Sequence, residues 1–180
     1  MSETLVRNAI ADAIVKLDAT SVLDVGCGQG KYLSTLPAQV TTRWGVDANA
    51  REIGHIVGPR LAAAVIATAE DFLPRVQSKS FDVVIALDFI EHLDQDTSRA
   101  VVVHMRRICR SAVLVFTPKG FVENGDQYHD PESRYLQTHR CGWLPKDLED
   151  LGFSVTEWSG FDYGQGLGPA SAALWAEWVR

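Results

Sequence analysis

Two stretches, Val22-Leu23-Asp24-Val25-Gly26-Cys27-Gly28-Gln29-Gly30 and Gly45-Val46-Asp47-Ala48-Asn49, constrain this chain more than anything else in it. Val22, Leu23 and Val25 make the short apolar run that a parallel strand buried on both faces requires. Asp24 interrupts that run, and a carboxylate in such a strand needs a partner, which places it near the strand's carboxyl end, facing backbone amides or a ligand amine. Gly26, Gly28 and Gly30 then form a turn in which positive φ and close ligand approach are both allowed, and a helix beginning near Gln29 or Gly30 would offer unpaired amides. Asp47 follows Trp44-Gly45-Val46 at the end of a second strand, where a carboxylate can accept both hydroxyls of a ribose.

The glycine spacing separates two kinds of ligand. A pyrophosphate fingerprint reads G-x-G-x-x-G, whereas this turn reads G-x-G-x-G with an aspartate two residues before its first glycine. That aspartate would face a phosphate badly and an amine well. The pattern suits a ligand with a ribose and an amino-acid end and no phosphate, which S-adenosylmethionine satisfies; a nucleotide-binding oxidoreductase is the reading it disfavours.

Strand and helix patterns alternate along the chain, the mark of a parallel sheet covered on both faces. Strands are expected near 21–25, 42–46, 62–67, 81–87, 111–117, 153–159 and 171–178, with an opening amphipathic helix over 3–17 and helices in most gaps. The clearest spans 95–109, where Val101, Val102, Met105 and Ile108 share a face and Asp94 stands as the cap. Gly152 reads as a helix stop. At 180 residues, 46% of them hydrophobic, the chain suits one domain over residues 1–180.

Asp24-Val25-Gly26-Cys27-Gly28-Gln29-Gly30, Gly45-Val46-Asp47-Ala48-Asn49 and the stretch FDVVIALDFIEHL at 81–93 resemble the successive motifs of the class I S-adenosylmethionine-dependent methyltransferases, most closely their broad small-molecule group. The resemblance covers nearly the whole chain and implies an α/β three-layer Rossmann-like sandwich. Its sheet would be seven-stranded and mostly parallel, in the order 3-2-1-4-5-7-6, with one strand antiparallel. It also implies a cofactor set of Asp24, Gly26, Gly28, Asp47, Ala48, Ala69, Glu70 and Leu87. Thr68 stands where the family often carries an acid near the adenine amine; Ala69 could offer its amide instead, and Glu70 either replaces the acid or favours the dipole of a helix start.

Asp88, Glu91 and His92 are spaced to share one face of a helical turn. They are candidates for a divalent-metal site completed by His139 or His129, since some methyltransferases similar to this chain use Glu-x-x-Glu-His with a loop histidine. Without a metal, His92 or His139 would be a general base for a hydroxyl acceptor, and a third reading has Glu91 and His92 merely hydrogen-bonded in their loop. The resemblance also implies that Leu87 and Asp88 line the methionine part of the cofactor and the methyl-transfer channel. Segment 118–143, longer than an ordinary connection, reads as a substrate-covering segment whose Phe121, Tyr128, Tyr135 and Trp143 argue for packing. Within it Arg140 would bind an acceptor carboxylate or phosphate, or pair with Asp130 or Glu132.

The net charge of −6 gives no general attraction to nucleic acid, and Leu87-Asp88-Phe89-Ile90 lacks the Asn/Asp-Pro-Pro-aromatic turn of base methylases, so DNA is excluded as a partner and RNA disfavoured. Arg106, Arg107 and Arg110 read as a solvated helix face before a phosphate site. Three widely spaced cysteines fit a reducing cytoplasm, and no stretch suits a signal peptide or a membrane span. The expected activity is methyl transfer from S-adenosylmethionine to a small-molecule hydroxyl. A metal-dependent 2′-O-methyltransferase of RNA ends and a non-catalytic cofactor-binding subunit are the alternatives, and a homodimer or a partner subunit is left open.

Overall fold

Alternation along the central strands sorts their side chains to two faces, and each face has its own helix. Val22, Val83, Ile85 and Leu114 cluster with Val6, Ile10, Ala13 and Ile14 of α1 (Glu3–Lys16). Leu23, Val25, Val84, Ala86, Val113 and Val115 cluster with Val101, Val102, Met105 and Ile108 of α4 (Gln95–Ile108), whose cap is Asp94, as its spacing predicts. The computed structural model describes residues 3–55, 63–124, 130–161 and 171–180.

Its seven strands are β1 (Ser21–Val25), β2 (Thr42–Asp47), β3 (Ala63–Ile66), β4 (Phe81–Leu87), β5 (Cys109–Pro118), β6 (Ser154–Phe161) and β7 (Ser171–Val179). They lie in the order β3-β2-β1-β4-β5-β7-β6. β1 to β5 pair in parallel, and β7 runs antiparallel to both β5 and β6. This is the expected three-layer sandwich. The register sets Asp24 beside Gly45, and Leu87 beside Phe116, bringing the carboxyl ends of β1, β2, β4 and β5 to one edge.

The connections are shorter in helix than the sequence suggests. No α-helix begins at Gln29 or Gly30; a single 3-10 turn, Leu33–Thr35, follows instead. Gly28 and Gly30 sit at φ +48° and +71°, outside the helical region, and Pro37 forbids an extension soon afterwards. Buried Arg43 organises the link, donating from Nε to Val40 O (3.0 Å), from Nη1 to Leu33 O (2.7 Å) and from Nη2 to the carbonyls of Leu36 and Pro37 (both 3.0 Å). The remaining helices α2 (Ala50–Gly54), α3 (Ala69–Phe72), α5 (Pro131–Gln137) and α6 (Pro145–Glu149) are of one or two turns. α5 gives the long segment a local structure its sequence pattern conceals.

The basic cluster does not share one helix face, and its side chains are tied to neighbouring carbonyls and a carboxylate. Arg106 donates to Leu151 O, Arg107 donates to the carbonyls of Val76 and Leu73, and Arg110 lies on β5, paired with Asp82. Trp143 is fully buried, as core packing requires. Phe121 and Tyr135 are 61% and 70% exposed, against their reading as packing residues.

Candidate active site

The glycine turn is fastened to the end of β2 before any ligand is considered. The amides of Gly26 and Cys27 both donate to Val46 O, at 2.8 and 3.1 Å. Asp47 then takes two backbone donors: Gly28 N reaches its Oδ2 and Asn49 N its Oδ1, each at 2.8 Å. Burial raises the Asp47 pKa, and those two amides oppose the rise. Each carboxylate oxygen keeps a second lone pair, the requirement for accepting ribose hydroxyls.

Asp24 is 2% exposed and its Oδ2 has no hydrogen-bond partner. Burial, reinforced by the charge of Asp47, pushes its pKa up to about 8. An orphaned buried carboxyl costs stability unless a ligand satisfies it, and an ammonium group fits that need. The residues present therefore suit a molecule with an amine at one end and a ribose next to it. Gly26 (φ +77°) is obligatory for a second reason: a Cβ built on it would lie 2.2 Å from Cδ2 of Phe89, whose ring covers the turn.

Beside the turn runs a cleft lined by Gly26, Val46, Asp47, Ala48, Ala67, Thr68, Ala69, Glu70, Asp88, Phe89, His92, Leu93, Tyr135, Leu136, Gln137 and Arg140. It encloses about 170 Å³, at the small end for a small-molecule site. Thr68 caps α3, its Oγ1 accepting from Asp71 N at 3.3 Å, which accounts for a threonine where an acid often stands. Exposed Glu70 follows in the first turn and lines the same wall. Of the expected cofactor set, Asp24, Gly28 and Leu87 stand outside this lining, Asp24 beneath the turn and Leu87 buried at the end of β4.

Asp88, Glu91 and His92 do not converge as a helical turn would require. Asp88 has φ +50°, which breaks the turn, and a 3-10 segment forms only over Ile90–His92. Asp88 opens onto the cleft; the protein packed around it raises its pKa, with Lys31 opposing. Glu91 is buried, its Oε2 accepting from Thr117 Oγ1 at 2.9 Å and its Oε1 unpartnered, and burial together with Asp88 raises its pKa.

The group that does assemble is Glu91, His92 and His139, with one potential ligand atom from each within 4.8 Å of the others. The two rings are 4.8 Å apart. Burial, then His139, lowers the His92 pKa to about 4, and burial lowers that of His139, so both are neutral near pH 7. His139 Nδ1 lies 2.6 Å from Val122 O; with the proton there, Nε2 carries the lone pair. His129, the other loop histidine considered, and Tyr128 fall outside the described residues.

Arg140 pairs with neither Asp130 nor Glu132. Its guanidinium donates to the carbonyls of His92 and Tyr135 and lies 4.4 Å from the Tyr135 ring centroid, while Asp130 takes Arg51 at 3.5 Å. Sequence reasoning missed Tyr135 and Asn49 as parts of this region. Asn49 left a signal, an asparagine directly before Ala50-Arg51-Glu52 being a helix start; Tyr135 left none, because its place depends on α5.

This strand order, with β7 reversed and the glycine turn at the carboxyl edge, is the Rossmann-like methyltransferase fold. More particularly, the chain belongs to the family described as methyltransferase domain, which matches residues 3–157. Among solved structures it is similar to an S-adenosylmethionine-dependent methyltransferase from Archaeoglobus fulgidus, at TM-score 0.68 and 21% identity over 97% of this chain and 94% of that one. It is also similar to magnesium protoporphyrin IX methyltransferase from Synechocystis with bound S-adenosylhomocysteine, at TM-score 0.64 and 18% identity over 98% and 82% of the two chains. The plantazolicin methyltransferase BamL aligns at TM-score 0.62 and 17% identity over 98% and 83%. No curated protein matches the chain in sequence. The Synechocystis enzyme is also known with bound S-adenosylmethionine. Among the described residues of this chain no helix is long and apolar enough to cross a membrane.

Proposed function

We propose that this enzyme methylates a hydroxyl oxygen on a small molecule that reaches the cleft beside Asp88. The observation that carries the reading is the pair of proton acceptors facing that cleft: Asp88, held at φ +50° where β4 ends, and neutral His92 behind it. A non-glycine residue in that conformation is kept only where its surroundings impose it, and such positions gather at active sites.

The cofactor supplies an electrophilic methyl group on a sulfonium. Asp24 would take its amine and Asp47 its ribose, with Ala48, Ala69 and Glu70 along the adenine side and Leu87 beneath the transfer channel. The chain's main contribution is then alignment of the acceptor oxygen with that methyl, which can lower a barrier by several kcal/mol. Asp88 or His92 removes the hydroxyl proton, and His139 holds the His92 ring. The acidic chain, at −6, supports a non-nucleic acceptor. Two of the structural neighbours are named for small-molecule acceptors, magnesium protoporphyrin IX and plantazolicin. Three free, buried cysteines support a reducing compartment, so we place the enzyme in the cytoplasm.

One observation favours a second reading, a divalent cation held by Glu91, His92 and His139, because the unpartnered Glu91 Oε1 and His92 Nδ1 are the kind of orphans a metal satisfies. Two ligands of one ion lie at most ~4.2 Å apart, so a group spanning 4.8 Å must tighten to bind.

One assay addresses both: S-adenosylhomocysteine release from S-adenosylmethionine across a panel of phenols, alcohols and their O-blocked ethers, in EDTA and with Mg²⁺ or Mn²⁺. Turnover of hydroxyl compounds only is expected, with Asp88→Asn or His92→Asn lowering kcat by about 10²–10⁴ while affinity for S-adenosylhomocysteine stays within about threefold. Equal turnover of the ethers would exclude an oxygen acceptor. Activity abolished by EDTA and restored by Mn²⁺ would select the metal reading.

A further inference from the structure

α5 carries no buried residue, yet Tyr135, Leu136 and Gln137 at its end form one wall of the cleft. What holds it there is polar. Asn49, which caps α2 through Oδ1 to Arg51 N (3.0 Å) and Glu52 N (3.3 Å), also donates from Nδ2 to Ser133 Oγ (3.4 Å). Arg51 and Asp130 add an ion pair at 3.5 Å. The helix therefore stands over the Asp47–Asn49 end of the cleft, where the two backbone amides fix the carboxylate that faces ribose.

On this mount Tyr135 is unusual. A large aromatic side chain 70% exposed is ordinarily free to rotate, but here one face of the ring lies against the Arg140 guanidinium, 4.4 Å from carbon to centroid. Arg140 is itself fixed, by its amide to Glu91 O (2.8 Å) and by guanidinium hydrogen bonds to the carbonyls of His92 and Tyr135. A planar ring backed by a cation is a stacking surface whose open side awaits a flat partner. Ala48 and Ala69, both small, line the same cleft.

We propose that Tyr135, backed by Arg140 and carried on α5, covers the adenine of the bound cofactor. It is a positioning residue rather than a catalytic one, and the inference rests on the cofactor assignment above. Base–aromatic stacking supports a tenfold to hundredfold effect on affinity.

The test is calorimetric titration of wild type, Tyr135→Ala and Tyr135→Phe with S-adenosylhomocysteine, followed by competition with S-ribosylhomocysteine, which keeps the ribose and amino acid but lacks adenine. Tyr135→Ala should weaken S-adenosylhomocysteine by about ten- to a hundredfold, Tyr135→Phe should restore it to within about threefold, and S-ribosylhomocysteine should bind all three proteins equally. Undiminished binding of S-adenosylhomocysteine by Tyr135→Ala, or an equal loss for both ligands, overturns the proposal. A wild type that ignores S-adenosylhomocysteine altogether overturns the cofactor assignment and this inference with it.

Discussion

In the amine-binding role proposed for it, Asp24 would serve binding at the expense of the free fold. Buried without a partner for Oδ2, its carboxyl holds its proton up to about pH 8, whereas in the unfolded chain it titrates near ~3.9. The folded state thus binds more protons than the unfolded one between those values, so the stability Asp24 contributes is full in acid and is lost as pH rises towards about 8. Asp24→Asn removes the titration. In urea unfolding of the free protein, the variant should show no Asp24-dependent decline over about pH 4–8 and be about 1–3 kcal/mol more stable than wild type at the upper end. Its affinity for S-adenosylhomocysteine should nevertheless collapse, because an amide cannot pair with an ammonium ion as a carboxylate does. Parallel pH curves for the two proteins would show that the buried carboxyl is not the group responsible.

Short helices around the site owe more to caps than to length. α3 has four residues, and Thr68 satisfies one of its first amides. Thr68→Ala should cost about 1 kcal/mol of stability and Thr68→Asp almost nothing, since aspartate caps as well; equal unfolding midpoints for the two variants would remove the cap from the explanation. This explains what was legible at the element scale. β1 and β4 could be read because burial on both faces forces apolar runs, and α1 and α4 because each shows the spacing of a buried stripe. The positions of Asp24, Gly26, Gly28 and Asp47 at or just after strand ends followed from those strands. The β1–β2 link was not readable: its order comes from Arg43 gathering four carbonyls, a tertiary arrangement with no local pattern. Convergence of Glu91, His92 and His139 across the chain was legible only as residue types, and Asp88 dropped out because one left-handed φ undoes helical spacing.

At the scale of the whole molecule, the sheet is stitched at the edge opposite the site. Asp82 Oδ2 accepts from Thr20 N (2.9 Å), Thr20 Oγ1 (3.0 Å), Ser21 N (2.9 Å) and Ser21 Oγ (2.8 Å), while Oδ1 takes Arg110 Nε at 2.7 Å. One carboxylate thereby joins the beginnings of β1, β4 and β5. Burial alone would raise its pKa, but the hydrogen bonds from Arg110, Thr20 and Ser21 outweigh it and hold the group well below the usual carboxylate range. The unfolded state now binds more protons, so the stabilisation is complete above ~3.9 and disappears as pH falls through the depressed folded value. Its sign is opposite to that of Asp24: one carboxylate weakens the fold towards alkali and the other towards acid, which leaves greatest stability between them. Asp82→Asn should lose roughly 2–3 kcal/mol near neutral pH and measurably less near about pH 3, where the wild-type advantage has begun to fall. Urea midpoints at the two pH values measure the difference. A loss of the same size at both would mean that the aspartate acts through shape and neutral hydrogen bonds, with its charge contributing nothing to the union of the three strands.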